Sequence, residues 1–260
     1  MRTMLKIMKF EVHDLLRGRW ILYYFFLYLL ITEGLFRFGG DASRVAISLM
    51  NIVLLITPLV TIIYGTMFLY NSREFIELLL CQPVSRSELH LGMVFGFGGS
   101  MSLALTAGIG LPALIHSGTL NSWFISLLIS GFALTWVFTG LAFYVSFIFS
   151  QKVKGMGVSI LLWFMFAIVY DGILMFLLFL FKDYPLEYIA LGASVINPID
   201  MARILILLSL DSAALMGYTG AVFKAFFGSV VGVLIVSISL AVWIIFPLFI
   251  SSYTFKTRDL

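Results

Sequence analysis

Apolar residues run through the chain in six long stretches, each reaching or approaching the roughly 20 residues that an α-helix needs to cross a bilayer. In chain order the stretches are 20–38, 45–70, 91–115, 123–149, 157–181 and 229–251. The first is the weakest, because Glu33 and Arg37 lie at its far end, four residues apart and able to pair on one helical face. The pattern predicts an all-α integral membrane protein, with a single six-span domain over 1–260.

The most polar long segment of the chain is 71–90, between the second and third stretches. Residues 73–81 predict a short helix with Phe75, Leu78 and Leu79 on one side. The two glutamates of this segment stand off that side, so the predicted helix is amphipathic.

In the rest of this loop, a proline is expected to end the first helix and a serine to begin a second. Pro83 ends the first helix, because the residue before a proline disfavours the α conformation. Ser85 can then cap a second short helix, with Glu88 in the capping-box position three residues on. Two short helices between spans indicate a surface presented to a partner, the alternative being an ordinary structured loop. The residues expected on this surface are Glu74, Glu77, Leu78, Pro83, Arg86 and Glu88.

Residues 2–18 predict an amphipathic helix before the first span. At 100° per residue the basic side chains fall within an arc of about 80°, and they are Arg2, Lys6, Lys9, His13 and Arg17. The facing arc is apolar and contains Met4, Leu5, Met8, Val12, Leu15 and Leu16. Such a helix lies on the membrane surface with its apolar side down, in contact with lipid.

Two acidic residues, Glu11 and Asp14, stand outside the basic stripe of this helix. They either pair locally, with Arg17 or a neighbouring segment, or contact a cytoplasmic partner. Together with Arg17 and Arg19 they are the residues of this interfacial helix that we expect to carry a function.

The connection 182–228, between the fifth and sixth spans, contains a well-started helix. Asn197 is a good N-cap, Pro198 suits the first helical position, and Asp200 suits the N-terminal dipole. A helix from 198 to about 210 is only ~20 Å long, too short to span, so it should lie in the outer interface or fold over the bundle. Asp200 and Arg203 are three residues apart and can bridge on its surface. The helix is either a lid on the bundle or a docking platform for an outer protein.

The distribution of basic residues predicts the orientation. With the N-terminus inside, 11 lysines and arginines fall on the inner side and 5 on the outer side. Both termini and the loop 71–90 are then cytoplasmic, and 182–228 is extracytoplasmic.

Composition and motifs exclude several kinds of protein. The chain is 62% hydrophobic and 11% charged, and its net charge of +3 is too small to indicate a nucleic-acid partner. Its single cysteine, Cys81, allows no disulfide and no cysteine-based metal site within one chain. The sequence has neither a P-loop for ATP nor the H-E-x-x-H pattern of zinc proteases, and its three histidines, which lack metal-ligand spacing, are expected to be solvated. We therefore expect no metal, no cofactor and no catalytic residue in this chain.

Asp171 is the one acid deep inside a span, which makes it a functional candidate. We expect it either to bond a hydroxyl or amide on a neighbouring helix or to line a polar cavity, with a structural or a transport role. An intramembrane aspartyl protease would need a second aspartate in a G-x-G-D motif, which the sequence lacks. Glycine pairs at 92/96 and 228/232 have the spacing of close helix contacts and are weak evidence for dimerisation.

Three patches carry a family resemblance, and they are Glu11-x-x-Asp14-x-Leu16-Arg17-x-Arg19-Trp20, then Glu77-Leu78-Leu79 with Pro83-Val84-Ser85-Arg86, then Asn197-Pro198-x-Asp200-x-x-Arg203. With the order of interfacial helix, helical inner loop and helical outer connection, the whole chain resembles the six-span permeases of ABC-2 type ATP-binding-cassette exporters. Within that family it is most similar to permeases of nitrous-oxide-reductase maturation systems, and the third patch is the most discriminating.

The resemblance implies a permease that is not itself an enzyme. It implies two copies of the permease and two cytoplasmic ATPases that bind ATP and Mg²⁺, in the cell inner membrane, with the 71–90 helix as coupling helix. It also implies a periplasmic β-helix partner serving copper-centre assembly, which Asn197, Pro198, Asp200 and Arg203 would contact. The alternatives are a generic ABC-2 exporter of a drug, ion or lipid-like substrate, and a secondary transporter or channel. The last would show several midplane polar groups and often an inverted repeat, whereas the sequence shows one deep acid and no evident repeat.

Overall fold

The computed structural model describes residues 2–40, 42–117, 122–181, 187–210 and 218–257, and every regular element within these ranges is a helix. The elements are α1 (Arg2–Arg17), α2 (Trp20–Phe38), α3 (Ala42–Asn71), α4 (Arg73–Leu80), α5 (Arg86–Ser117), α6 (Ser122–Ile148), α7 (Lys152–Phe164), a π-helical segment (Met165–Val169), α8 (Tyr170–Leu180), α9 (Glu187–Ile196), α10 (Pro198–Ser209) and α11 (Tyr218–Thr257).

Six candidate membrane spans are present, as predicted. They are Trp20–Phe38, Arg44–Asn71, Arg86–His116, Ser122–Ile148, Lys152–Leu180 and Gly232–Thr257. Each contains most of its predicted apolar stretch, but the third and fifth begin about one turn earlier, because their first polar residues continue the helix. The protein is therefore a multi-pass membrane protein. We call the end of the bundle that holds α4 the α4 end, and the other the α10 end.

Helix α6 is the centre of the bundle. It packs against α3, α5, α10 and α11, and most of its residues are buried. Gly140 allows α11 to pass closely, since a Cβ added there would lie 2.8 Å from Cβ of Pro247. The buried hydroxyls of Thr135, Thr139 and Ser146 donate to carbonyls four residues earlier in α6 itself. The buried hydroxyl of Ser130 donates instead to the carbonyl of Ala202 in α10 at 3.2 Å.

The α1 helix lies in a groove on α5. Ile7 and Glu11 are buried, whereas Leu5 and Leu16 are 52% and 45% exposed. A Cβ added to Gly92 would lie 2.8 Å from Ile7, and one added to Gly96 would lie 2.8 Å from Cβ of Glu11. The predicted use of this glycine pair in dimerisation is thus wrong, because α1 of the same chain fills the groove. Gly228 lies outside the residues whose side chains the structure describes.

The polar loop contains one short helix and not two. The first, α4, matches the prediction closely. Ser85 does cap the next helix, since its Oγ accepts from the backbone N–H of Glu88 at 3.3 Å. That helix is the start of α5, however, because the sequence from Ser87 onwards contains no residue that would break it before the span. Pro83 lies in the turn between α4 and α5.

The fifth span runs through α7, the π-helical segment and α8 without interruption. Its half nearer the α4 end is held to α3, where the hydroxyls of Ser159 and Thr66 bond at 2.7 Å and Trp163 Nε1 donates to the carbonyl of Leu55. Its half nearer the α10 end, α8, has no buried residue and contacts α9. The chain then returns through α9 and α10, which are separated by a break at Asn197.

Candidate functional site

The α4 helix presents a stripe of exposed residues on the α4 end. Glu74, Glu77, Leu78 and Cys81 follow the i, i+3, i+4, i+7 spacing of one helical face, and all are exposed, Leu78 by 67%. The buried residue of α4 is Ile76, 1% exposed. The predicted apolar side of Phe75, Leu78 and Leu79 is therefore wrong in part, because Ile76 takes the core position and Leu78 faces outward.

Arg73 fastens the start of α4 to the end of α6. Its guanidinium donates to the carbonyls of Ser146, Phe149 and Ser150 at 3.1, 3.0 and 2.6 Å. These carbonyls lie at a helix C-terminus, where backbone acceptors lack intrahelical donors and the dipole favours a cation. Beside it, Tyr70 donates to the Phe149 carbonyl at 2.6 Å. The sequence analysis did not single out Arg73, because its partners are backbone atoms about 75 residues away.

Arg86 and His90 also serve the packing of the α4 end. Nη1 of Arg86 lies 3.2 Å from the Lys256 carbonyl, at the end of α11, so its predicted place on a docking surface is replaced by a contact within the chain. His90 is 1% exposed, and its Nε2 lies 2.9 Å from Oγ of Ser251. The expectation of a solvated histidine is wrong here because three phenylalanine rings surround it, those of Phe143, Phe147 and Phe255.

The four functional candidates of the α1 region separate into one buried and three exposed residues. Glu11 is 1% exposed, and burial, with a smaller contribution from the charge of Asp14, raises the pKa of its carboxyl to about 7. It cannot contact a partner in this position. Asp14, Arg17 and Arg19 are exposed. Within the described part of the chain no ion pair joins Asp14 to Arg17, so the predicted local pairing is not formed.

A charged cluster connects the fifth span to α10. Nη1 of Arg203 lies 2.9 Å from Oδ2 of Asp171 and 2.9 Å from Oδ1 of Asp200. The predicted Asp200–Arg203 bridge is confirmed. The partner of Asp171 is a guanidinium, where a hydroxyl or amide was expected, because the break at Asn197 turns α10 back against the span. The outer half of the bundle therefore holds three charged groups, and not the single deep acid that the sequence shows.

Asn197 closes this cluster at the start of α10. Its Oδ1 accepts from the backbone N–H of Ile199 at 3.0 Å, which confirms the predicted N-cap. Its Nδ2 donates to the carbonyl of Phe166 at 2.9 Å, inside the π-helical segment. Tyr170, just after that segment, donates its hydroxyl proton to the carbonyl of Ala193 in α9. We call Tyr170, Asp171, Asn197, Asp200 and Arg203 the outer cluster.

The outer cluster faces inward. Asn197 and Asp200 are 0% and 5% exposed, and Pro198 is buried too, so they do not form the exposed docking surface predicted for them. The reason is that α10 is apolar on nearly every side and is buried between α6 and α11. Arg203 borders a cavity of 190 Å³ that also touches Asn51 of α3 and Ala167 of the π-helical segment. Residues 183–190 and 211–218, where docking positions were expected, lie outside the side chains that the structure describes.

Among the described residues no group of three histidine, cysteine, aspartate or glutamate side chains could hold a metal ion. The outer cluster is suited to holding helices together, and the exposed stripe on α4 is suited to presenting charge. Neither group of residues places a nucleophile beside a base.

Comparison with known proteins agrees with this architecture. The family model described as "ABC-2 family transporter protein" matches residues 41–260. The chain is also similar to the "Probable ABC transporter permease protein NosY" of Pseudomonas aeruginosa, with 28% identity over 226 residues, 80% of this chain and 82% of the relative. The protein of the same name from Stutzerimonas stutzeri is 28% identical over 228 residues, 79% of this chain and 81% of the relative. Six membrane spans, and a family match that extends over more than half of the sequence, show that this chain belongs to the ABC-2 family of transporter permeases.

Proposed function

We propose that this chain is the non-catalytic permease of an ABC exporter and that α4 is its coupling helix, docked into a separate cytoplasmic ATPase. The observation that carries the proposal is the arrangement of α4, with Ile76 and Arg73 fixed to the bundle and Glu74, Glu77 and Leu78 turned outward. An exposed leucine between two carboxylates is typical of a small interface with a polar rim and an apolar centre.

The contacts supply a route from α4 to the outer cluster. A displacement of α4 acts through Arg73 on the end of α6 and on the loop that leads into α7. From Lys152 to Asp171 the fifth span is one continuous helix of about 28 Å at 1.5 Å per residue. Asp171 is tied to α10 through Arg203. Movement at α4 thus reaches the outer cluster through a stiff element, as coupling requires.

The remainder of the assembly is proposed from the family. Two copies of this chain pair with two ATPases, which bind ATP and Mg²⁺, in the cell inner membrane with both termini cytoplasmic. Asp14, Arg17 and Arg19 flank the ATPase-facing surface, with Pro83 and Glu88 near it. The likeness to the NosY permeases and the Asn197-Pro198-x-Asp200-x-x-Arg203 patch support a role in nitrous-oxide-reductase maturation. An extracytoplasmic β-helix partner then rests near the α9–α10 turn, and the outer cluster sets the angle of that turn.

The test is affinity purification of the tagged chain in mild detergent from its own cells. We expect a P-loop ATPase to copurify with the wild type and to be lost from the Glu74→Lys/Glu77→Lys variant. The control is Glu33→Lys, which makes one substitution of the same kind at the other end of the bundle, where Glu33 pairs with the exposed Arg37. Equal ATPase recovery from all three proteins would refute docking on α4.

The single native cysteine gives an independent test of orientation. Cys81 is exposed on the α4 stripe, and no other cysteine can react. A membrane-impermeant maleimide should label it in inverted vesicles and not in intact spheroplasts, and bound ATPase should slow the labelling. Labelling from the outside would reverse the proposed orientation.

A further inference from the structure

A cavity of 270 Å³ lies at the α4 end, where the end of α1, the start of α2 and the end of α3 meet. Its wall combines three kinds of surface. Asp14 contributes a carboxylate, Trp20 and Tyr64 contribute aromatic rings, and Met67 and Phe68 contribute apolar surface. Asp14 also flanks the proposed ATPase-facing surface, whereas the coupling proposal and the outer cluster use none of the other four residues.

The inner part of the cavity is suited to a cation. The rings of Trp20 and Tyr64 lie with centroids 6.0 Å apart, tilted by 35°, and an ammonium group within about 6 Å of such a ring is attracted to its face. Within the part of the chain that the structure describes, the carboxylate of Asp14 makes no ion pair. The one amide oxygen on the wall, Oδ1 of Asn71, already accepts from Lys152 at 3.0 Å. The carboxylate of Asp14 is therefore available to a bound cation.

The rim of the same cavity is suited to an anion. Arg17 and Arg19 are exposed on either side of Gly18, which lines the cavity. Arg19 is the N-cap of α2, with a left-handed φ of 62°, and its side chain does not cap the helix. The N-cap residue of α2 thus supplies no side-chain acceptor to the first backbone N–H groups of that helix, and the helix dipole favours negative charge there.

The cavity has a centre that can bind a cation and a rim that can bind an anion, and it lies at the membrane interface marked by Trp20. These properties match a zwitterionic lipid headgroup. We propose that this cavity binds a phospholipid carrying a primary ammonium, with the ammonium between Asp14, Trp20 and Tyr64 and the phosphate at Arg17 and Arg19. A primary ammonium fits better than a quaternary one, because only the former has N–H donors for the carboxylate of Asp14. The apolar wall of Met67 and Phe68 lies beside the start of the acyl chains.

The first test uses the wild-type protein and needs no variant. Protein purified in mild detergent is exposed to equimolar phosphatidylethanolamine, phosphatidylcholine and phosphatidylglycerol with identical chains, and retained lipid is counted by native mass spectrometry. We expect the ethanolamine lipid to be retained about fivefold over each of the others, because phosphatidylglycerol offers no cation to the rings and phosphatidylcholine offers no N–H donor to the carboxylate of Asp14. Equal retention of the three would overturn the proposal. Displacement of the lipid by equimolar glycerophosphoethanolamine, which has the same headgroup but no acyl chains, would show that the cavity binds the soluble headgroup alone and would overturn the lipid assignment.

Variants then locate the site. Asp14→Asn and Trp20→Leu should each lower the preference for the ethanolamine lipid about fivefold, while Tyr64→Phe, which keeps the ring, should leave it nearly unchanged. The matched control is Glu74→Gln, which removes an exposed acid at the same end but outside the cavity. A preference that survives both Asp14→Asn and Trp20→Leu would remove the lipid from this cavity. The lipid measurement needs no ATPase, so it is independent of the coupling proposal.

Discussion

Helices α4 and α10 are of similar size, both connect membrane spans, and both carry charged residues, yet they present them in opposite ways. In α4 one side chain, Ile76, is buried and the two glutamates face outward. In α10 nearly everything is buried, and Asp200 and Arg203 face inward to each other and to Asp171. Whether the charged side chains face outward or inward depends on the other residues of each helix. In α4 only Ile76 is buried, whereas α10 is apolar on nearly every side.

This difference has an energetic consequence. Charges in water contribute little to stability, so the α4 stripe is free to serve binding. Charges in a low-dielectric interior must be paired, and once paired they hold the attached helices in one arrangement. We therefore expect substitutions in α4 to change partnership with little effect on folding, and substitutions in the outer cluster to change folding itself.

The largest effect is expected from Arg203→Ala. The change leaves Asp171 and the 5% exposed Asp200 without their cation. Removing one partner of a fully buried pair costs about 3–5 kcal/mol, and because Arg203 and Asp171 are 34% and 29% exposed, we expect the lower end of that range, about 3 kcal/mol. The measurement is the thermal unfolding midpoint in a fixed detergent. Arg37→Ala is the matched control, because Arg37 pairs with Glu33 at 2.6 Å but is 64% exposed, and its loss should cost less than about 1 kcal/mol. Equal losses would erase the contrast between buried and exposed charge.

The pH dependence of stability should report on Glu11, which lies in α1 outside the spans. Burial raises the pKa of its carboxyl from an ordinary value of about 4.5 to about 7, so the folded state binds its proton more tightly than the unfolded state does. The contribution is fully present below about pH 4.5 and is lost as pH rises through 7, by about 3 kcal/mol at most. Thermal midpoints should fall between pH 5 and 8 in the wild type and less in Glu11→Gln. Identical pH profiles would show that Glu11 is not the titrating group.

A smaller effect is expected from Arg73→Ala, which removes a charged donor from three carbonyls at the end of α6. Hydrogen bonds to charged groups contribute about 1.5–3 kcal/mol. Arg73→Lys keeps the charge but not the planar fork, so it should recover only part of the loss. The diagnostic readout is proteolysis near 149–151, which should accelerate in the alanine variant. Unchanged cleavage would show that Arg73 does not fasten α4 to this end of α6.

The smallest effect is expected from Gly96→Ala, where the added Cβ would lie 2.8 Å from Cβ of Glu11 and push α1 outward. Overpacking of this kind costs about 1–3 kcal/mol, partly offset by the better helix propensity of alanine. Gly99→Ala is the control, since its Cβ would meet nothing within 4 Å, and it should be neutral or stabilising. A shift in dimer fraction on native gels with no change in midpoint would return the glycine groove to an interface between copies.

The sequence was sufficient for elements whose pattern is local. Six apolar stretches, the Asn197 cap and the Asp200–Arg203 spacing are all readable from residues near one another, and each is present. It was insufficient where the partner is distant. The hydrogen bonds of Arg73 join residues about 75 positions apart. The burial of Glu11 results from a groove on α5, which cannot be predicted from the sequence of α1.

Whether α10 is exposed or buried could not be predicted from its own sequence. A short capped helix that cannot span suits both an interfacial lid and a helix inserted among the spans, and the choice depends on how much apolar surface α6 and α11 leave uncovered. The partner of Asp171 followed from that same choice, since Arg203 reaches it only once α10 turns inward.

The π-helical segment at Met165–Val169 determines the direction in which the side chains of α8 point. One additional residue in a turn rotates the following part of a helix by about 100°. Deleting a single residue there would leave the length of the fifth span almost unchanged, yet it would swing Tyr170 and Asp171 away from α9 and α10. The direction of Tyr170 and Asp171 therefore depends on one extra residue in the backbone. A related permease could gain or lose their contacts with α9 and α10 through one codon, without altering any side chain of the outer cluster.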